Sequence, residues 1–191
     1  MKRPYRRTAF AAVALLAGGV LLAGCGGQDG SDDSAAPEGW KTLEGPTVSV
    51  SYPKGFTEQS EADRAESNDA VATFEEDGRL AAMISIQSDF TEVADAEEAA
   101  VAMEGTVQAT ARWTGTEDIS VQGVDKAKKV KLTYVSNGMN NTPEKGATVD
   151  GSVITGVDSE GRVFAVRIDA QEGKLSAADQ RKIIESIHVT G

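Results

Sequence analysis

Residues 149–170 read VDGSVITGVDSEGRVFAVRIDA and contain two apolar runs, Val149–Val157 and Arg162–Ala170. The four residues between these runs are Asp158-Ser159-Glu160-Gly161, a combination of turn-forming residues that is typical of a hairpin loop. Two strands joined by such a loop must lie antiparallel. The stretch therefore predicts a β-hairpin.

Strand patterns continue on the N-terminal side of this hairpin. Residues 128–136 alternate apolar and polar side chains, and residues 47–52 do the same before a turn begins at Pro53. Residues 70–74 and 80–87 predict two more strands, which are joined by a second hairpin turn at Glu76-Asp77-Gly78.

Two segments have helical signals. Asp95 and Glu98 form a capping box, and we expect a helix to about Arg112 that buries four apolar residues at helical spacing: Ala96, Ala100, Met103 and Val107. Ser176 and Asp179 predict the start of a second helix, whose apolar residues are Ile183, Ile184 and Ile187. Consecutive hairpins and two helices predict an α+β fold, a mostly antiparallel β-sheet flanked by helices, in a single domain over residues 40–191.

The N-terminal 24 residues are typical of an export signal. Four basic residues among the first seven precede an apolar run over residues 10–23, which at about 14 residues is shorter than the roughly 20 needed to span a bilayer. We therefore expect residues 1–24 to be a signal peptide. The Arg6-Arg7 pair leaves the export route open between the general secretory (Sec) and twin-arginine (Tat) systems.

The apolar run ends in Leu22-Ala23-Gly24-Cys25, a quartet that resembles the lipobox of bacterial lipoproteins. The resemblance implies cleavage before Cys25 and a diacylglycerol on its thiol, with fatty chains such as palmitate. Cys25 is the only cysteine in the chain, so no internal disulfide is expected. The expected location is the outer face of the cell membrane.

Residues 25–39 have the composition of a tether. After Cys25 they are rich in Gly, Ser, Asp, Ala and Pro, and a flexible coil of this length spans about 20 Å. We expect folded structure to begin at Trp40. The globular domain would then lie close to the headgroups of the membrane.

The charge of the chain excludes several kinds of partner. The sequence has 19 basic and 30 acidic residues, and removal of the four basic residues of the signal peptide leaves 15 basic residues and a net charge of −15. Nucleic acids and anionic lipid surfaces both bind clustered positive charge. We therefore expect no nucleic-acid partner and no direct adhesion to anionic lipid.

The order of the elements resembles the Mog1/PsbP-like fold and, more narrowly, the LpqN-type lipoproteins of actinobacteria. The resemblance covers residues 40–189 and depends on ten positions: Trp40, Val48, Val50, Tyr52, Pro53, Gly55, Phe56, Ile183, Ile184 and Ile187. It implies an α/β/α sandwich and a binding or accessory scaffold of the cell envelope, without an assigned enzyme activity. The family provides no functional-site motif that can be carried over to this chain.

The residues that catalysis usually requires are scarce. The chain has one histidine, His188, near its C-terminus, and it lacks the Gly-x-Ser-x-Gly, phosphate-loop and dinucleotide motifs. One histidine and one lipidated cysteine do not make a zinc site. We therefore expect a protein that is not an enzyme and that binds no metal and no cofactor besides the covalent lipid on Cys25.

Two features are candidates for a binding surface. Trp113 lies at the predicted end of the first helix, and the polar loop 137–146 contains Asn137, Asn140 and Asn141. The leading hypothesis is a non-catalytic module that binds an envelope protein. Two alternatives stay open, a carrier of lipid or another small hydrophobic ligand in a pocket between sheet and helix, and a hydrolase that uses two carboxylates.

Overall fold

A computed structural model describes residues 36–105, 111–139 and 142–190 of this chain. The described residues form twelve elements: β1 (Lys41–Glu44), β2 (Val48–Tyr52), β3 (Phe56–Glu58), β4 (Ala70–Glu76), β5 (Arg79–Ser88), α1 (Ala96–Glu104), β6 (Arg112–Val121), β7 (Val124–Val135), β8 (Thr148–Val157), β9 (Val163–Gln171), α2 (Ala177–Glu185) and β10 (His188–Val189). The signal peptide, the lipobox residues Leu22, Ala23 and Gly24, and Cys25 lie outside the described residues.

The strands form two antiparallel sheets. The larger sheet has seven strands in the order β3-β4-β5-β9-β8-β7-β6, and the smaller sheet has three in the order β1-β2-β10. Helix α1 packs on one face of the larger sheet, and α2 packs with the smaller sheet on the other face. The predicted α+β fold, a mostly antiparallel sheet flanked by helices, is confirmed, although three short strands share the layer of α2.

Side-chain alternation divides the apolar residues between the two faces. The face toward α2 and the smaller sheet contributes Ile84, Ile86, Ile154, Val166 and Ile168 to one core cluster. The face toward α1 contributes Val130, Leu132, Tyr134, Val149 and Val153 to the other cluster. Each fully buried aliphatic side chain of this size contributes about 1.5–3 kcal/mol of transfer free energy, so both layers are needed to stabilise the sheet.

Both hairpin turns that the sequence predicts are present. β4 and β5 are joined by Asp77 and Gly78, whose φ angles are +52° and +72°. Two positive φ angles characterise the turn type that matches the right-handed twist of a hairpin. β8 and β9 are joined across Asp158–Gly161, where the backbone N–H of Asp158 donates to the carbonyl of Arg162 at 2.9 Å.

Helix α1 is shorter than the sequence predicts. It begins after Asp95 as expected and buries Ala96, Ala100 and Met103, but it ends at Glu104 with Gly105 as its C-cap. Val107 lies outside the described residues. The predicted end near Arg112 is wrong, because Arg112 begins the ten-residue strand β6.

Helix α2 has the predicted start and apolar face. The backbone N–H of Asp179 donates to the Ser176 hydroxyl at 3.0 Å, and Ile183 and Ile187 are buried. The chain then enters β10, where His188 pairs with Ser49 of β2. In the part of the chain that the structure describes, no helix has both the length and the apolar character to cross a membrane.

Candidate functional site

Trp113 does not lie at a helix end. It is on β6, directly opposite Leu132 of β7, and its half-buried ring packs against the core cluster beneath α1. Strand β6 is the last strand of the larger sheet, so one of its edges has no neighbouring strand in that sheet. Trp113 therefore helps to hold this outer strand on the sheet.

The polar loop between β7 and β8 is organised by Ser136. This buried hydroxyl donates to the Pro143 carbonyl at 2.5 Å and accepts from the backbone N–H of Gly138 at 3.1 Å. The exposed Asn137 accepts a hydrogen bond from the backbone N–H of Met139 at 2.9 Å. Asn140 and Asn141 lie outside the described residues.

A groove opens between the start of α1 and the β6–β7 hairpin. Its volume is about 420 Å³. The groove is lined by small or apolar side chains and by charged ones: Ala96, Ile119 and Ala127, with Asp95, Glu97, Asp118, Asp125, Lys126 and Lys128. We call it the helix–hairpin groove. Neither Trp113 nor Asn137 lines the groove. The groove is therefore separate from these two residues, which the sequence suggested as candidates for a binding surface.

Lys128 joins the two walls of the helix–hairpin groove. Its Nζ lies 2.5 Å from Oε2 of Glu97 on α1 and 3.0 Å from Oδ1 of Asp118 on β6. Hydrogen bonds to Glu97 and then to Asp118 raise the pKa of Lys128, so its ammonium stays charged at neutral pH. The rim of the groove therefore has fixed charges, and the four carboxylates outnumber the two ammonium groups.

Local sequence explains the helix wall of the groove. Oδ1 of Asp95 accepts from the backbone N–H groups of Glu97 at 2.9 Å and Glu98 at 3.0 Å, and the Glu98 carboxylate accepts from the backbone N–H of Ala94 at 3.0 Å. The Asp95 half of the predicted capping box is therefore present, whereas Glu98 reaches back to the N–H of Ala94, one residue before the N-cap, and not to the N–H of Asp95 itself. The strand wall could not be predicted, because it depends on the pairing of Asp118 with Lys128 between β6 and β7.

A second group of polar side chains is buried on the sheet face toward α1. The Tyr134 hydroxyl donates to Oδ2 of Asp169 at 3.0 Å, and Arg167 Nε donates to the same oxygen at 2.8 Å. Asp169 is 4% exposed, and its Oδ1 has no hydrogen-bond partner among the described residues. Gly151 makes room for this oxygen, because a Cβ atom at position 151 would lie 2.7 Å from it.

The charges of this buried group stabilise one another. Burial, and then the Asp169 carboxylate, raise the pKa of Tyr134. Burial favours the neutral form of Arg167, but the Asp169 carboxylate outweighs this effect and raises the pKa of the guanidinium. Arg167 and Asp169 therefore form an ion pair with a neutral tyrosine beside it. The hydrogen bond from Tyr134 therefore joins β7 to β9 across the intervening strand β8.

The surroundings of Glu117 and Tyr52 also favour the ordinary charge state at neutral pH. The Lys131 and Lys129 ammonium groups lower the pKa of Glu117, and burial together with Glu58 raises the pKa of Tyr52. General acid–base catalysis at neutral pH works best when a pKa lies near 7. Within residues 36–105, 111–139 and 142–190, no group of three His, Cys, Asp or Glu side chains is placed to hold a metal ion.

Other clefts of the described chain also have polar walls. One of about 600 Å³ lies beside β3 and is lined by residues such as Glu58, Asp63 and Thr73. Another of about 570 Å³ includes Asp89, Glu92 and Glu98. These walls match a polar or charged ligand better than an apolar one, because an apolar ligand would remove water from charged groups without replacing their hydrogen bonds.

No family model and no curated protein matches this chain. Among solved structures, it is similar to the solution structure of cyanobacterial PsbP (CyanoP) from Synechocystis sp. PCC 6803. The TM-score is 0.51 at 14% sequence identity, over 88% of this chain and 98% of the cyanobacterial chain. At this identity the similarity concerns the fold alone. The chain therefore has a PsbP-like α+β fold, in agreement with the resemblance seen in its sequence.

Proposed function

We propose that this chain is a lipid-anchored, non-catalytic binding module on the outer face of a bacterial cell membrane, of the LpqN type found in actinobacteria. The observation that carries the proposal is the helix–hairpin groove, a cleft of about 420 Å³ with charged walls on a stable sheet. The groove is where we expect an envelope protein to bind.

The chemistry of the groove supports a protein partner with basic side chains. Lys128 is engaged by Glu97 and Asp118, whereas Asp125 is exposed at the rim and forms no ion pair within the described residues. A lysine or arginine of a partner would gain an ion pair with Asp125 at the edge of the contact. Complementary charge of this kind increases the association rate and the specificity of protein complexes more than their affinity.

The state of the ionisable groups supports a role without catalysis. Neighbouring charges lower the pKa of Glu117 and raise that of Lys128, so both stay charged at neutral pH, and burial raises the pKa of Tyr52 and Tyr134, so both stay neutral. The charged pairs join strands to one another or to α1, which is a structural use of charge. The PsbP-like fold is consistent with a scaffold, although a fold alone does not define a function.

The anchor is tested by intact mass measurement of the protein extracted from membranes of the native host. We expect loss of residues 1–24 and a mass increase that matches a diacylglycerol on Cys25. A Cys25→Ser variant should be released from the membrane fraction. A wild-type mass that retains the leader and an unmodified thiol would contradict the lipid anchor.

The groove is tested by photo-crosslinking in intact membranes. A photoreactive residue at Asp125 should give a reproducible adduct with one envelope protein. The matched control places the same photoreactive residue at Glu172, which is also exposed but does not line the groove. Identical adducts from both positions, or none from Asp125, would show that the groove is not the binding site.

A further inference from the structure

The first described residues of the chain lie beside two lysines that are distant in the sequence. The Trp40 backbone N–H donates to the Pro37 carbonyl at 2.8 Å, which forms a turn just before β1. Lys182 of α2 places its Nζ 5.7 Å from the centroid of the Trp40 ring. Lys54 lies against the same turn. A Cβ atom at Gly39 would be 2.8 Å from the Cε atom of Lys54 and 3.1 Å from the Nζ atom of Lys54.

Lys41 completes this group. It follows Trp40 directly and pairs across β1 and β2 with Tyr52, two residues before Lys54. Lys41, Lys54 and Lys182 are all exposed, and none of them forms an ion pair with a residue that the structure describes. We call Trp40 and these three lysines the basic corner.

The basic corner is unusual in a chain of this charge. The mature chain would have twice as many acidic as basic residues, 30 against 15, and four of its other lysines are paired with carboxylates: Lys128, Lys129, Lys131 and Lys174. Lys126 and Lys145 are exposed and form no ion pair with a described residue, but they lie on β7 and in the loop after it and are not grouped with other lysines at the corner. The acidic side chains nearest to these lysines in the sequence are Glu38 in the turn, Glu44 on β1, and Asp179 and Glu185 on α2, and among the described residues none of them forms an ion pair with Lys41, Lys54 or Lys182. Three cations therefore remain available to an anionic surface.

The position of the corner on the chain indicates which surface it would meet. Ala36, the first described residue, is only eleven positions after Cys25, and a coil of that length spans about 18 Å. If Cys25 carries the lipid anchor of the proposed function, on which this inference depends, the corner is held at the membrane surface. Such tethering raises the effective concentration enough for a weak contact to be populated.

We propose that the basic corner docks onto anionic phospholipid headgroups, with the three ammonium groups on the phosphates and Trp40 at the level of the interface. Lysines within a Debye length of an anionic surface are attracted to it, whereas acidic groups on the far side of the domain are screened by salt. Tryptophan favours the interface because its ring is apolar and its N–H is polar. Docking would give the helix–hairpin groove a fixed orientation relative to the membrane.

Docking at the basic corner would depart from the expectation that the net charge gives. A net charge of −15 argues against adhesion to anionic lipid only if the charges are evenly spread. The fold instead collects Lys41, Lys54 and Lys182 from β1, the turn after β2, and α2. No local sequence pattern brings these three residues together.

The test uses the mature chain from residue 25, whose only thiol, on Cys25, is coupled to a maleimide lipid in vesicles. Chemical coupling makes the result independent of natural lipidation, so this inference and the proposed anchor can fail separately. In a Trp113→Phe background Trp40 is the only tryptophan. Its fluorescence is measured with headgroup-quencher lipids in phosphatidylcholine vesicles, with and without phosphatidylglycerol.

We expect strong quenching of Trp40 only in the vesicles that contain phosphatidylglycerol, and loss of this quenching at high salt. A Lys54→Gln/Lys182→Gln variant should lower the ratio of docked to undocked protein about fivefold for each lysine removed. An Arg112→Gln/Lys145→Gln variant makes the same change in net charge at two exposed positions, one on β6 and one in the loop between β7 and β8, and it should dock normally.

Equal quenching in neutral and anionic vesicles would overturn the proposal, and so would equal docking of the two double variants. Because Lys182 contacts the Trp40 ring, thermal unfolding of each variant is measured alongside the quenching. A Lys41→Gln variant removes one positive charge of the corner and keeps the contact between Lys182 and Trp40, so it provides a second measurement. It should lower docking about fivefold without a change in melting temperature. Unchanged docking of this variant would contradict the proposal that the basic corner binds anionic headgroups.

Discussion

Gly123 lies so close to Val189 that a Cβ atom at position 123 would be 1.8 Å from the Val189 carbonyl oxygen. Gly123 is in the turn between β6 and β7 of the larger sheet, and Val189 is in β10 of the smaller sheet. The Val189 backbone N–H also donates to the Gln122 carbonyl at 2.9 Å. Backbone contact at this one turn therefore joins the two sheets.

Replacing Gly123 by alanine should destabilise the domain by about 2–4 kcal/mol, because the new methyl group meets backbone and not a flexible side chain. The φ angle of +92° adds strain for any residue with a Cβ. Urea unfolding measures the effect. Gly115→Ala is the control, since its Cβ would enter open space, and it should change the stability by less than about 0.5 kcal/mol. Similar stabilities for the two variants would show that the turn does not pack against β10.

Replacing Asp169 by asparagine should destabilise the domain by about 2–3 kcal/mol. The change leaves the Arg167 guanidinium, whose side chain is only 17% exposed, without its counter-charge. The matched control is Asp150→Asn on the adjacent strand, which is exposed and should be nearly neutral. Chemical denaturation near pH 7 compares the two, and equal losses would mean that the buried ion pair has no special role.

In the chain from residue 25, Tyr52 and Tyr134 should ionise only as the domain unfolds. Burial, with Glu58 beside Tyr52 and Asp169 beside Tyr134, raises both pKa values above the ordinary value near 10. Because the folded pKa values are the higher ones, the stability linked to the neutral phenols is complete below about pH 10 and is lost as the pH rises further. Absorbance at the phenolate band, followed together with circular dichroism, should show one coincident transition. A separate phenolate step near pH 10 in folded protein would disprove this expectation.

Asp158 should stabilise the β8–β9 hairpin above about pH 4 and lose this effect in acid. Burial favours its neutral form, but hydrogen bonds from the Arg162 backbone and side chain and from the Glu160 backbone outweigh burial and lower its pKa. The pKa of Asp158 is lower in the folded state than its unfolded value of about 3.9. Its contribution to stability is therefore complete above about pH 4 and is lost as the pH falls through the pKa of the folded state.

An Asp158→Asn variant tests whether the charged form of Asp158 stabilises the domain above about pH 4. Near pH 7 it should be about 2 kcal/mol less stable than the wild type, because the amide presents a donor to the Arg162 Nε. The difference should shrink as the pH is lowered below about 4. A constant difference across this range would mean that the charge of Asp158 is not involved, and Ser159→Ala, at an exposed position of the same loop, controls for the loop itself.

The elements that the sequence predicts well are those whose signals are local. Asp77-Gly78 joins β4 to β5 because two adjacent residues tolerate positive φ, and Asp95 starts α1 because its side chain bonds to N–H groups two and three residues later. Both signals involve fewer than five neighbouring residues. They act before any tertiary contact forms, so a single sequence contains them.

Strand β6 shows why other elements are missed. Its residues are mostly exposed and include Gly115 and two irregularities of register, so the strand has no clear alternation of apolar and polar side chains. The apolar residues after Asp95 extend the helical pattern toward it, which led to the wrong helix end near Arg112. Pairing with β7 holds β6 in the sheet, and only the Gln122-Gly123 turn signal could have indicated it.

The sequence alone determined the antiparallel hairpins, the two helix starts, the apolar faces of α1 and α2, and the expected export signal with Cys25. These features depend on residues within a few positions of one another. The tertiary structure decided the edge position of β6, the burial of Asp169 beside Gly151, the walls of the helix–hairpin groove, and the approach of Lys54 and Lys182 to the turn that contains Gly39 and Trp40. Those arrangements depend on strand register and on packing between distant segments, whose free energy exists only once the sheets have formed.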